Sequence, residues 1–142
     1  LHACDTATDY ALYKAVKWHA SVILSVPCCQ HELNQRIQCE TLSGAFQYGL
    51  IRERTAALMT DAMRGQLLEM KGYKTQLLEF IDMEHTPKNI LIRAVKSKGL
   101  LLKAARKQQE DRYRACRDFF GAELTLEKLF NEMEGETAYE QD

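Results

Sequence analysis

Glycine is scarce and badly placed for gripping a nucleoside or a phosphate. All seven glycines lie at position 44 or later, and none forms a Gly-rich turn between a strand and a helix. Only two prolines occur, Pro27 and Pro87, which excludes a proline-rich linker or a collagen-like repeat. No apolar run approaches the roughly 18 residues that a membrane span needs. No signal peptide opens the chain, so no membrane role is expected. Excess charge of one sign is missing too: 19 basic residues face 20 acidic ones, for a net charge of −1. There is no internal repeat. The first residue is Leu1, inside an apolar segment, so a piece of a longer protein is expected.

What is present is an ordinary globular composition over 142 residues, enough for one compact domain or a large part of one. Five cysteines, Cys4, Cys28, Cys29, Cys39 and Cys116, form an odd set with one adjacent pair. A disulfide framework normally uses an even set in a short, loop-rich chain, so a reducing, cytoplasmic setting is expected. Charge is unevenly spread. Residues 88–117 carry ten Lys and Arg against Glu110 and Asp111, while 118–142 carry eight acids against Lys128.

Leu1 to Asp5 reads as the end of a strand. Thr6 to Asp9 supplies helix-starting side chains, and Leu12, Ala15 and Val16 continue a helical face to Trp18. Ala20 to Val26 is a β-branched run expected to be a strand buried on both faces of a parallel sheet. Two strands joined by a helix of that length make a right-handed βαβ unit. A short helix is expected beyond Pro27, a loop over 43–49, and a long helix from Leu50 to Lys71. The core face of that helix should hold Ile51, Leu58, Met59, Ala62, Met63 and Leu67, with Gly72 as its left-handed cap. Strands over 73–81 and 89–95 are separated by too few residues for a crossover helix and should pair antiparallel. Helices follow from Gly99 to Phe120 and after Thr125, with the last eight residues frayed.

Ligands bind outside the carboxyl ends of parallel strands. Three segments leave the expected sheet there: 4–9, 27–31 and 82–88. They hold or adjoin three of the four histidines and three of the five cysteines. Asp5 could take a proton from an acceptor or orient it, or could simply cap a helix. His31 could act as a base or hold the acceptor, or be a structural histidine. Cys28 or Cys29 as a nucleophile would need a thiolate beside a cation; small side chains packed at a tight strand exit are the plainer reading. Cys4, Cys28, Cys29, His31 and His2 could bring zinc ligands together. The spacing lacks a C-x-x-C knuckle, however, and adjacent cysteines seldom share one ion, so no metal is expected. His19 is read as a surface or packing residue.

Leu-His-Ala-Cys-Asp-Thr-Ala-Thr-Asp at 1–9, followed by Val-Pro-Cys-Cys-Gln-His at 26–31, resembles a group of class I S-adenosylmethionine-dependent methyltransferases. That group includes the tRNA acceptor-stem 2′-O-methyltransferases and bacterial methyltransferase domains. Glu84 to Asn89 resembles the bacterial subgroup. The resemblance covers residues 1–96. It implies an α/β fold: the C-terminal half of a Rossmann-like sheet, with parallel strands ending in an antiparallel hairpin, followed by a helical extension over 97–142 with an acidic tail.

It also implies S-adenosylmethionine as cofactor, gripped mainly by an N-terminal half that this sequence does not contain, with Cys4 and Asp5 on the cofactor side. Asp5 and His31 would be catalytic. Pro27, Cys28, Cys29, His85 and Lys88 would bind substrate. RNA is the favoured acceptor, aided by the basic segment, with Tyr113 as a stacking candidate and Phe119 read as core. A non-catalytic binding module derived from the same fold is the alternative, and a thiol enzyme using Cys28 or Cys29 the third reading. Self-association through an exposed sheet edge is expected.

Overall fold

The computed structural model describes residues 4–79, 90–99 and 103–139, with side chains to residue 135. The expected strand at Leu1–Asp5, the rim loop carrying His85 and Lys88, and His2 lie outside the described residues in whole or in large part.

Helix α1 spans Thr6–Lys17, strand β1 Val22–Ser25 and helix α2 His31–Arg36. A 3-10 turn, Glu40–Leu42, leads into a single helical turn α3, Ser43–Phe46, where the sequence suggested a loop. Helix α4 follows at Gly49–Met70, then strands β2 (Tyr73–Glu79) and β3 (Ile90–Lys96) and helices α5 (Lys103–Phe120) and α6 (Thr125–Tyr139). The helix α6 runs on through residues expected to fray. No described helix is long and apolar enough to cross a membrane.

The helix ends follow from local chemistry. Gly72 has φ 86°, the left-handed conformation expected of the α4 cap, and glycine adopts it without a Cβ clash. His19 takes the same role after α1 at φ 56°. Its N–H bonds the Val16 carbonyl at 2.9 Å, and Ala20 N–H bonds the Ala15 carbonyl at 3.0 Å, the paired bonds of a Schellman motif.

The three described strands lie in the order β1-β3-β2, and β3 runs antiparallel to both neighbours. Ile23 faces Ala94 across one pair, and Thr75 faces Ala94 across the other. The β2–β3 pairing is the expected antiparallel one, but β3 is inserted between β1 and β2. Those two therefore point the same way without touching. A parallel pair is absent among the described residues.

One face of the sheet is covered and the other is open. Ile23, Ile92 and Ala94 are buried in a single cluster with Leu12, Val16, Met63, Leu67 and Leu68. At Gly65 a Cβ would meet Thr75 Cγ2 at 3.4 Å, so the absent side chain lets α4 lie close on the sheet. On the other face Val22 is 53% and Leu24 64% exposed, so β1 is not buried on both faces as its apolar run suggested. No described helix covers that side. Helices α5 and α6 supply Tyr113, Leu126 and Phe130, and the link between them Leu124, to the same cluster as α1 and α4.

The long helix is correct in extent and only partly in face, with Met63 and Leu67 buried as expected. Ile51 and Leu58, expected inside, are exposed, and Met59 is only partly buried. The buried stripe of α4 runs instead through Ala56, Ala57, Thr60, Asp61, Met63, Arg64, Leu67 and Leu68. Two charged residues at its centre rotate the apolar face away from the simple hydropathy reading.

Candidate functional site

The carboxyl end of β1 is tied to the start of α1 by two hydrogen bonds from one residue. Asp5 N–H donates to the Cys29 carbonyl at 3.2 Å, and the Asp5 carboxylate accepts the Glu32 N–H at 3.0 Å. Asp5 precedes α1 but its side chain does not cap that helix. It caps α2 instead, placing negative charge where the first N–H groups of a helix lack partners. To do so it holds φ 51° and ψ −120°, a conformation costly for a residue with a Cβ.

The capping continues outward. Glu32, buried on α2, accepts the Thr125 hydroxyl at 2.7 Å and the Thr125 N–H at 3.1 Å, so it caps the start of α6. Arg36 donates to the same carboxylate at 3.0 Å. Asp5, α2 and α6 are thus linked by two successive carboxylate caps.

These bonds gather residues far apart in sequence. Cys4 Sγ lies 3.4 Å from Cys28 Sγ, and Cys28 Sγ lies 3.5 Å from Cys29 Sγ. All five cysteines are thiols. Hydrogen bonding with Cys28 and then Cys29 pushes the Cys4 thiol up to about 11, so Cys4 carries its proton at neutral pH. His31 opens α2 with its side chain exposed, one residue before the position Asp5 caps. Five of the candidate residues, Cys4, Asp5, Cys28, Cys29 and His31, are therefore brought to one rim.

Pro27 is buried and turned toward a neighbouring cleft of about 530 Å³. The cleft lies past the carboxyl ends of β1 and β2, between Pro27, Gln30, Glu79 and Ile90 on one side and Leu50, Arg54, Leu58 and Asp61 of α4 on the other. Its wall mixes exposed apolar side chains with a few polar groups, as ligand clefts do.

Beneath the rim lies a buried charge cluster that the sequence reading missed. Arg64 is 1% exposed. It donates to Asp9 at 2.7 Å, to Asp61 at 3.0 Å and to the Asp5 carbonyl at 2.9 Å. Gln30 donates to the other Asp61 oxygen at 2.9 Å. One guanidinium thus faces two carboxylates away from water. Burial, partly offset by Arg64, pushes the Asp61 carboxyl up to about 6, and burial raises Asp9 as well. Arg64 loses hydration on burial, but its bonds to Asp9 and Asp61 outweigh that loss and hold it protonated. Asp9 Oδ2 and Gln30 Oε1 are buried with no hydrogen-bond partner. The signal in the sequence was Asp61 and Arg64, three apart within the apolar stripe of a long helix.

The basic segment is partly neutralised. Arg114 pairs with Glu110, and Arg117 bridges Asp118 and Glu127. Tyr113 is 1% exposed and donates to Glu127 at 2.7 Å, which removes it as a platform for bases. Phe119, read as core, is 48% exposed and meets the buried Phe120 edge-on. Lys98, Lys103, Lys107 and Arg112 remain exposed along and before α5.

The rim and cleft offer no cradle for a nucleoside cofactor among the described residues. No glycine occurs in 4–9 or 26–32, and the Asp5 carboxylate already serves α2. No curated protein and no solved structure matches the chain. A family profile described as a methyltransferase domain matches residues 1–36, the stretch that holds Cys4, Asp5, the three rim residues after Pro27 and α2, and this match supports a methyltransferase-derived chain.

Proposed function

We propose that this chain is the acceptor side of an S-adenosylmethionine-dependent methyltransferase, with RNA the favoured acceptor. The observation that carries the reading is the stapling of Asp5 to Cys29 and Glu32. It brings both motif segments of the matched stretch to one rim beyond β1. The insertion of β3 antiparallel between two strands of common direction is consistent with the end of a class I methyltransferase sheet.

The cofactor, held mainly by an N-terminal half of a longer parent, would supply an electrophilic methyl group. This chain's residues would position the acceptor. His31, exposed at the rim, would hold or deprotonate an acceptor hydroxyl. Asp5 would place His31 by fixing the start of α2. Pro27, Cys28 and Cys29 would line the acceptor path. His85 and Lys88, which lie outside the described residues, are proposed to bind substrate with them. The exposed bases on and before α5 support an anionic acceptor through phosphate contacts. The open β1 face, with Val22 and Leu24 exposed, would be covered in the parent.

A second reading, a non-catalytic binding module, is favoured by the engagement of Asp5 as a cap. Labelled S-adenosylmethionine, the parent protein and a total cell extract separate the two. Label that RNase removes supports the RNA reading. Label in protein or small molecules keeps the transferase and discards RNA. No label and no cofactor binding by the parent leaves the binding module.

A further inference from the structure

The three rim thiols have a geometry that methyl transfer does not require. Cys4 arrives from the start of α1, and Cys28 and Cys29 from the exit of β1, 24 residues later. Their sulfur atoms lie within 4.8 Å of one another, with the two shortest separations 3.4 and 3.5 Å. Zinc–thiolate bonds of about 2.3 Å in a tetrahedron set sulfur–sulfur edges of about 3.8 Å. The cluster is therefore within a few tenths of an ångström of a ligand set along two edges. Sequence spacing argued against this, because adjacent cysteines seldom face one ion. Here the turn after Pro27 directs both toward Cys4.

The position of the cluster is held by two hydrogen bonds of Asp5 and not by the thiols. Asp5 N–H on the Cys29 carbonyl fixes the residue after Cys4 to the second of the paired cysteines. The Asp5 carboxylate fixes the turn that follows. Cys4 is exposed, so an ion there would be reached from solvent and would keep an open side.

We propose that Cys4, Cys28 and Cys29 form a three-thiolate zinc site with one open coordination position. Each thiol that ligates gives its proton to solvent, and the ion and all three sulfurs keep their oxidation states. The ion would lock the two rim segments together beside Asp5 and His31. The proposal stands whether or not the chain serves methyl transfer, since it rests on the thiols alone.

The test uses the reduced full chain and zinc or cobalt(II) against a chromophoric chelator. One equivalent should bind, with a thiolate-to-cobalt charge-transfer band. Cys4→Ser, Cys28→Ser and Cys29→Ser should each weaken binding by at least the roughly tenfold that losing an outer-shell partner costs. Cys39→Ser and Cys116→Ser should leave it unchanged. Because serine variants could misfold, the unmodified chain provides a second readout. Zinc should slow alkylation of Cys4, Cys28 and Cys29 and spare Cys39 and Cys116 from that effect. Absence of stoichiometric binding overturns the proposal. So does uniform protection of all five cysteines, or a Cys4–Cys28 disulfide that forms in glutathione buffer while zinc is present.

Discussion

The Asp5 carboxylate accepts the backbone N–H of Glu32 at 3.0 Å, across 27 residues, while the helix that Asp5 precedes receives no side-chain cap. Asp5 holds left-handed φ to make this bond. Asp5→Ala loses the cap and keeps a Cβ in the strained conformation, and should destabilise by about 1–2 kcal/mol. Asp5→Gly loses the same cap but relieves the strain, and should lie close to the wild type. Urea denaturation checks the order. Equal losses for Ala and Gly would show that the conformation stores no strain.

Arg64 is the only cation in contact with Asp9 and Asp61 among the described bonds of that cluster. Arg64→Met fills the space and leaves two buried carboxylates unpaired. A loss of about 3–5 kcal/mol is expected, as for breaking a buried pair from one side. A chemical-denaturation midpoint near that of the wild type would remove the cluster from the account of stability.

The same cluster sets a pH dependence. Asp61 binds its proton near pH 6 when folded but near 3.8 when unfolded. Between those values the folded state holds more protons, so the Asp61 contribution to stability falls as pH rises from about 4 to about 6, and the raised Asp9 carboxyl adds a fall of the same sign. The change is on the order of 2–3 kcal/mol for a shift of this size. Asp61→Asn keeps an acceptor oxygen for Arg64, turns an amide N–H toward Gln30, and should flatten the slope. Melting temperatures from pH 4.5 to 7.5 for both proteins make the comparison. An unchanged slope in the variant would assign it to other groups.

The open sheet face predicts association. Val22 and Leu24 on β1 and Trp18 beside it are 53%, 64% and 76% exposed. β1 is an edge of the described sheet. Light scattering of the isolated chain should show dimers or larger species. A monomer with a cooperative melt would contradict this.

How much was legible in the sequence follows from how local each signal is. Helix α1, the glycine cap at Gly72 and the antiparallel β2–β3 pairing depend on a few neighbouring residues, and all three are found as expected. The convergence of Cys4–Asp5 with Cys28–His31 was legible because both segments exit at one rim. The core face of α4 was legible only in part, at Met63 and Leu67. Hydropathy placed Ile51 and Leu58 inside, whereas Asp61 and Arg64 are buried because Asp9 and Gln30, distant in sequence, complete their bonds. The chain of caps from Asp5 through Glu32 to Thr125 spans 120 residues and leaves no local pattern at all. Tyr113 looked available for stacking because helical spacing does not reveal its bond to Glu127.

The most direct test of the central claim compares methyl transfer by the parent protein with that of its His31→Ala variant. His31 is exposed at the start of α2, so its loss should leave the melting temperature within a degree or two, as surface changes do. The account predicts RNase-sensitive label with the wild type and a loss of roughly a hundredfold with His31→Ala, the usual share of a general acid or base. Undiminished transfer by His31→Ala, or no transfer by a parent that folds and binds the cofactor, would contradict it.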